Sequence, residues 1–214
     1  MPTLHGVNAS PFVRKVRVAL AEKGIQYDLV PVLPFGVSDE FRAISPLGKI
    51  PVYQEGEFTL PDSSCILLYL ERTYPEPRLL PEDPRELGRA LFLEEYGDTR
   101  LTEVLLPAFA NRIVRAKIFK QEADEAEVKA ALDAAPSVFD YLEQQLEGRE
   151  FLAGGQFSVA DIGMASPFVN FAHAGEGPDA ARWPKLAAWL DRVLSRPSFK
   201  ACVEEEKASL AALG

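Results

Sequence analysis

Residues 75–84 read Pro-Glu-Pro-Arg-Leu-Leu-Pro-Glu-Asp-Pro. Neither a helix interior nor a strand ladder runs through such a segment, because each proline lacks an N–H and disfavours helix at the residue before it. The segment therefore divides the chain into a region of short alternating elements and a region of long helical patterns. The boundary falls near residues 78–84, which gives a first domain over residues 1–77 and a second over residues 85–214. At 214 residues, 47% hydrophobic and 26% charged, the chain has the composition of an ordinary globular protein able to bury a core.

In the first region, Thr3-Leu4-His5-Gly6-Val7 is a short strand candidate. Ser10-Pro11 follows, with proline at a first helical position where its missing N–H costs nothing. Phe12, Val13, Val16, Ala19 and Leu20 recur at three- and four-residue intervals, so a helix from Pro11 buries that stripe and carries Arg14, Lys15 and Arg17 on its other face. Gly24 stops it. Residues 27–32 alternate as a second strand, parallel to the first across a βαβ unit. A short helix near residues 39–44 ends in the turn cluster Ser45-Pro46-Leu47-Gly48. Residues 49–55 resume as a strand, with a hairpin partner at Phe58-Thr59-Leu60 beyond the turn at Gly56. Asp62-Ser63-Ser64 then caps a third helix that ends at Pro75.

Two readings stand for several of these residues. Ser10 is an N-cap that accepts a bond from the first turn, or a hydroxyl that donates to an anion at the positive end of a helix. Asp62 and Ser63 are likewise caps or a carboxylate site. Lys49 is a solvated turn lysine or a cationic contact. Pro51 belongs at a strand start, and it leaves the backbone of Ile50 available to an extended ligand.

Beyond the connector, residues 85–120 form one long helical pattern with a bend at Pro107, and residues 122–146 form another, interrupted or bent near Pro136. Ser158-Val159-Ala160-Asp161 has capping-box spacing with aspartate in place of glutamate, which assigns both polar residues to folding. Trp183-Pro184 and Pro197 each start a further helix.

A net charge of -9 argues against nucleic acid or an anionic membrane surface as a partner. The start of the chain has no secretory pattern, and no segment approaches a membrane span. Two cysteines, Cys65 and Cys202, do not make a disulfide framework; both read as core residues in a cytoplasmic protein. His5 and His173 lack partners at metal-ligand spacing, so no metal is expected.

The order strand, Ser-Pro-Phe at a helix start, strand, helix, Gly-Lys-Ile-Pro-Val, hairpin, Asp-Ser at a helix start resembles the cytosolic glutathione S-transferases, and the resemblance covers the whole chain. It implies a thioredoxin-like α/β N-terminal domain that binds glutathione as co-substrate, and an all-α C-terminal domain with the electrophile pocket at the interface. By likeness, Ser10 matches the activating hydroxyl, and Ile50 the residue whose backbone pairs with the cysteinyl unit. Pro51 matches the family's cis-proline. Asp62 and Ser63 match the pair that holds the γ-glutamyl end, with aspartate where glutamate is more common, and Lys49 matches a contact to the glycyl carboxylate. The Ser-Pro-Phe start looks most like the serine-type branches, tau-like and bacterial. A homodimer acting on small hydrophobic electrophiles is implied. The alternatives are a glutathione-dependent isomerase and a non-catalytic binding or regulatory protein of the same fold; a cysteine-type thiol transferase is disfavoured by serine at position 10.

Overall fold

Four short strands make one mixed sheet in the order β2-β1-β3-β4. In this computed structural model, which describes residues 1–213, they are β1 (Thr3–His5), β2 (Asp28–Val30), β3 (Val52–Glu55) and β4 (Phe58–Pro61). Strand β1 runs parallel to β2 and antiparallel to β3, and β3 pairs antiparallel with β4. The parallel pair is the one the βαβ pattern predicts. Strand β3 starts three residues later than expected, because Pro51 cannot donate to a ladder and Lys49 bonds locally to Ser45. Three helices complete this unit, which spans Met1–Leu79: α1 (Pro11–Glu22), α2 (Asp39–Ile44) and α3 (Ser63–Thr73).

Helix α1 buries Val13, Val16, Ala19 and Leu20 completely. It ends in a Schellman arrangement: Gly24, at φ +67°, donates to Ala21 C=O, and Ile25 donates to Leu20 C=O. The basic residues depart from expectation. Arg14, Lys15 and Arg17 are no solvated face; they are 0%, 1% and 4% exposed. The reason is visible in their partners. Arg17 Nε donates to the Tyr27 hydroxyl at 2.8 Å, and Lys15 Nζ reaches Ser64 Oγ at 3.5 Å, so long apolar stems are covered while the heads end on polar groups. At the other end of the helix, Lys23 Nζ donates to Glu71 Oε2 (2.7 Å), Tyr74 C=O (2.7 Å) and Pro77 C=O (3.0 Å). Glu71 in turn accepts from Leu79 N–H.

The second unit, from Leu80 onward, is helical among its described residues. Helix α4 (Pro84–Tyr96) passes through a π-helical turn at Gly97–Leu101 into α5 (Thr102–Phe109), and a second π-helical stretch continues to Ile118. The run is continuous through Pro107, and α6 (Glu125–Gln145) passes through Pro136 without interruption. Helices α7 (Val159–His173), α8 (Pro184–Leu194) and α9 (Pro197–Ala211) follow. Every residue of α7 from Val159 to Phe171 is buried, the signature of a central helix. Gly97 and Gly163 allow α7 to approach the α4 run closely: a Cβ on Gly97 would lie 2.8 Å from the Gly163 carbonyl oxygen. The Asp161 carboxylate accepts from Ser158 N–H (2.9 Å), Ser158 O–H (3.1 Å), Leu152 N–H (3.0 Å) and Trp189 Nε1–H (2.8 Å). Burial pushes its pKa above the usual carboxylate value, against the pull of these four donors.

Candidate functional site

Register decides which residues of the first unit meet. His5 of β1 pairs with Val52 of β3, and Val52 pairs with Pro61 of β4. The segment leaving β1, the one entering β3 and the one leaving β4 therefore emerge from the same end of three adjacent strands. Those segments carry Ser10, Lys49-Ile50-Pro51 and Asp62-Ser63 respectively, so the topology gathers at one edge the residues that the sequence scatters over more than fifty positions.

After β1 the chain passes close over α1. A Cβ on Gly6 would meet Val13 Cγ2 at 2.4 Å, so no larger residue fits there. Ser10 N–H donates to Val7 C=O at 3.2 Å, closing the turn, and Arg14 N–H begins the helical ladder on Ser10 C=O. The half-buried Ser10 side chain accepts from Val13 N–H at 3.4 Å, a long capping bond. Accepting uses a lone pair and leaves the hydroxyl proton to donate, so capping and donation are compatible. The first turn of α1 has no acidic residue, so no local carboxylate offsets the positive end of its dipole.

Ahead of β3, the Ile50-Pro51 peptide is cis. Ile50 is 7% exposed and stands outside the strand register, which ends at Val52. Lys49 is exposed at its side chain, while its backbone is bonded on both sides by the buried Ser45 hydroxyl. Ser45 is a residue that sequence reasoning took for a turn former alone.

After β4, Asp62 takes φ +79°, ψ +125°, a conformation that side-chain-bearing residues rarely adopt. Its Oδ1 accepts from Cys65 N–H at 3.0 Å, capping α3. Outliers of this kind cost of order 1–3 kcal/mol and concentrate at ligand-binding positions. Ser63 begins the helix at 3% exposure, and the first turn of α3 also lacks an acidic residue beyond the cap. Cys65 is exposed on the outer side of that turn, contrary to the core position expected for it, whereas Cys202 is buried.

Two helix N-termini with hydroxyls, one exposed lysine and an unladdered peptide at a strand start make a surface suited to a small peptide bearing carboxylates. Residues 4–78 match the model for the N-terminal domain of glutathione S-transferase, and residues 96–197 match that for its C-terminal domain. The chain belongs to the glutathione S-transferase family. Among its relatives, a maleylacetoacetate isomerase of Rattus norvegicus is 32% identical over 176 residues, covering 79% of this chain and 77% of the relative. A glutathione S-transferase of Arabidopsis thaliana is 31% identical over 196 residues, 87% and 89% of the two chains. The solved structure of a glutathione S-transferase from Rhodospirillum rubrum superposes with a TM-score of 0.87 at 30% identity, covering 94% of this chain and 91% of that one. The thioredoxin-like domain and the helical domain expected from the sequence are both those of this family, whose co-substrate is glutathione.

Away from the site end, Tyr53, Tyr69 and Tyr74 all donate to the Glu55 carboxylate, at 3.4, 3.0 and 3.3 Å. Burial first, and the Glu55 charge with it, raises all three phenols above their usual pKa, Tyr53 most. None of them titrates near neutrality, so the cluster buttresses α3 against the sheet. His5 bonds Gln54 at 3.0 Å, and His173 bonds the buried Glu206 at 2.9 Å. Among the described residues no group of His, Cys, Asp and Glu is arranged to hold a metal, and no helix is long and apolar enough to cross a membrane.

Proposed function

We propose that the protein is a serine-type glutathione transferase, of the tau-like and bacterial kind, in which Ser10 activates the thiol of glutathione for attack on small hydrophobic electrophiles. The observation that carries this reading is the Ser10 hydroxyl: half-buried, at the positive end of α1, loosely capped at 3.4 Å and with its proton uncommitted by that bond.

A free thiol with a pKa near ~8.5 is only about 3% thiolate at pH 7. A hydroxyl donating to the sulfur at a helix N-terminus favours the charged form. Lowering the pKa by about two units corresponds to ~2.7 kcal/mol and makes the thiolate about three-quarters of the population. Ser10 needs no base, because it donates and is not the nucleophile. In the same reading Ile50 pairs its backbone with the cysteinyl unit, with Pro51 shaping that turn. Asp62 and Ser63 hold the γ-glutamyl end at α3, and Lys49 meets the glycyl carboxylate. The protein acts as a homodimer in the cytoplasm, a state that sedimentation velocity tests directly.

The test is glutathione conjugation to a generic aryl halide across pH, for wild type and Ser10→Ala. An apparent pKa well below that of free glutathione, and a fall of about 25-fold in rate at pH 7 for the variant, support the assignment. Equal rates reduce Ser10 to a cap. A second reading is favoured by the isomerase relative: glutathione-dependent isomerisation. It is tested by supplying maleylacetoacetate with glutathione, and sinks if the substrate is left unchanged.

A further inference from the structure

Ser45 closes helix α2 and opens the turn that leads to β3. Its N–H donates to Phe41 C=O at 2.8 Å, and its C=O accepts from Gly48 N–H at 2.7 Å. Its hydroxyl accepts from Lys49 N–H at 3.1 Å and donates to Lys49 C=O at 2.7 Å. With 1% exposure, Ser45 makes four hydrogen bonds, and two of them grip the same residue from either side. One bond fixes a distance; bonds to both the N–H and the C=O of one residue fix its φ and ψ together. Nothing in the side-chain packing of Lys49 duplicates this restraint, because that side chain is exposed. Gly48 fits the same tight design: at φ +63°, a Cβ there would come within 3.0 Å of Arg42 Nη1 and 3.3 Å of Val37 Cγ2.

We infer that Ser45 is a positioning residue for glutathione: its hydroxyl clamps the Lys49 backbone so that the Lys49 ammonium and the adjoining Ile50 peptide are presented in one conformation. The inference rests on the reading that Lys49, Ile50 and Pro51 contact glutathione. The bonds of Ser45 run to Phe41, Gly48 and Lys49 and those of Ser10 to Val7, Val13 and Arg14, so the clamp governs how firmly the tripeptide is held and leaves thiol activation to α1. A pre-set loop lowers the ordering cost of binding, and its loss shows in affinity before it shows in chemistry.

The experiment compares wild type with Ser45→Ala and with Ser45→Cys, which keeps the shape but is a weaker hydrogen-bonding group. Glutathione Kd is read by calorimetry, KM and kcat by aryl-halide conjugation, and Lys49 amide exchange by NMR. The expected result is a rise in Kd and in KM for glutathione of about tenfold, or ~1.4 kcal/mol. Turnover at saturating glutathione and the pH midpoint stay within about twofold of wild type, and Lys49 N–H exchanges faster. If Ser45→Ala does not fold, Ser45→Cys carries the comparison. Unchanged Kd and KM in a folded variant overturn the inference. A parallel loss of kcat with a shifted pH midpoint overturns it too, by placing Ser45 in thiol activation. A wild type that binds no glutathione overturns the underlying site reading along with it, and is recognised because the failure appears in the unsubstituted protein.

Discussion

Helix α7 begins at Ser158 with Asp161 at its third position; helix α1 begins at Ser10 with Val13 in the corresponding place. At α7 the serine and the aspartate are both 0% exposed, and the carboxylate accepts four donors drawn from the cap, from Leu152 and from Trp189. At α1 the serine is half-buried and takes a single 3.4 Å bond. Asp62, at the head of α3, resembles α1 in this respect: one capping bond, an exposed side chain and a backbone held at positive φ. The same residue types thus serve opposite ends. A saturated, dry cap fixes a fold, and a thinly satisfied cap at the surface retains hydrogen-bonding capacity for a ligand.

The contrast breaks most sharply at Asp161. Replacing it with alanine leaves four buried donors without an acceptor, and a loss of roughly 3–5 kcal/mol is expected in urea denaturation, enough to threaten folding altogether. Ser10→Ala should reverse the pattern. Its stability should change by only about 0.5–1 kcal/mol, the lower range for a capping residue, while the conjugation rate at pH 7 falls by about 25-fold. A stability loss at Ser10 as large as that at Asp161 would erase the distinction between the two caps.

A smaller effect sharpens it through pH. The folded pKa of Asp161 is raised by burial above its unfolded value near ~3.9, so the stability it contributes is fully present below that value and declines as pH rises through the folded pKa. Asp161→Asn removes this ionisation. The destabilisation it causes, measured by urea melts, should therefore be largest in acid and shrink toward neutral pH. A difference that grows with pH would mean that the four donors outweigh desolvation.

Much of this architecture was legible in the residues themselves. Proline at first helical positions located α1, α8 and α9, and the alternating segments located the strands. Ser158 and Asp161 announced their box by spacing. What escaped the sequence has physical causes. The basic residues of α1 were placed in water because charge predicts exposure, yet Arg17 and Lys15 end on Tyr27 and Ser64, partners distant in the chain. Cys65 was placed in the core because thiols usually are, but its third-position place in α3 faces outward. Pro136 was read as a place where the helix could break, yet α6 runs through it, and a π-helical stretch follows Pro107. For the candidate site, residue types were readable one by one, whereas their convergence depends on the His5-Val52-Pro61 row, which no local pattern encodes. Ser45 was invisible for a related reason: a turn serine and a backbone clamp have the same letter.

Lys23 sets a practical limit on how this chain can be recombined. Its ammonium, fully covered, reaches past the end of α3 to the carbonyls of Tyr74 and Pro77, and the Glu71 it pairs with accepts from Leu79. The first unit is thus tied off beyond its last helix. A chimera that grafts this unit onto a different helical partner must carry the donor sequence through Leu79. A junction placed at the apparent helix end, near residue 74, would keep the Lys23-Glu71 pair but remove the Pro77 carbonyl from its ammonium and the Leu79 N–H from its carboxylate, however well the strands and helices had been copied.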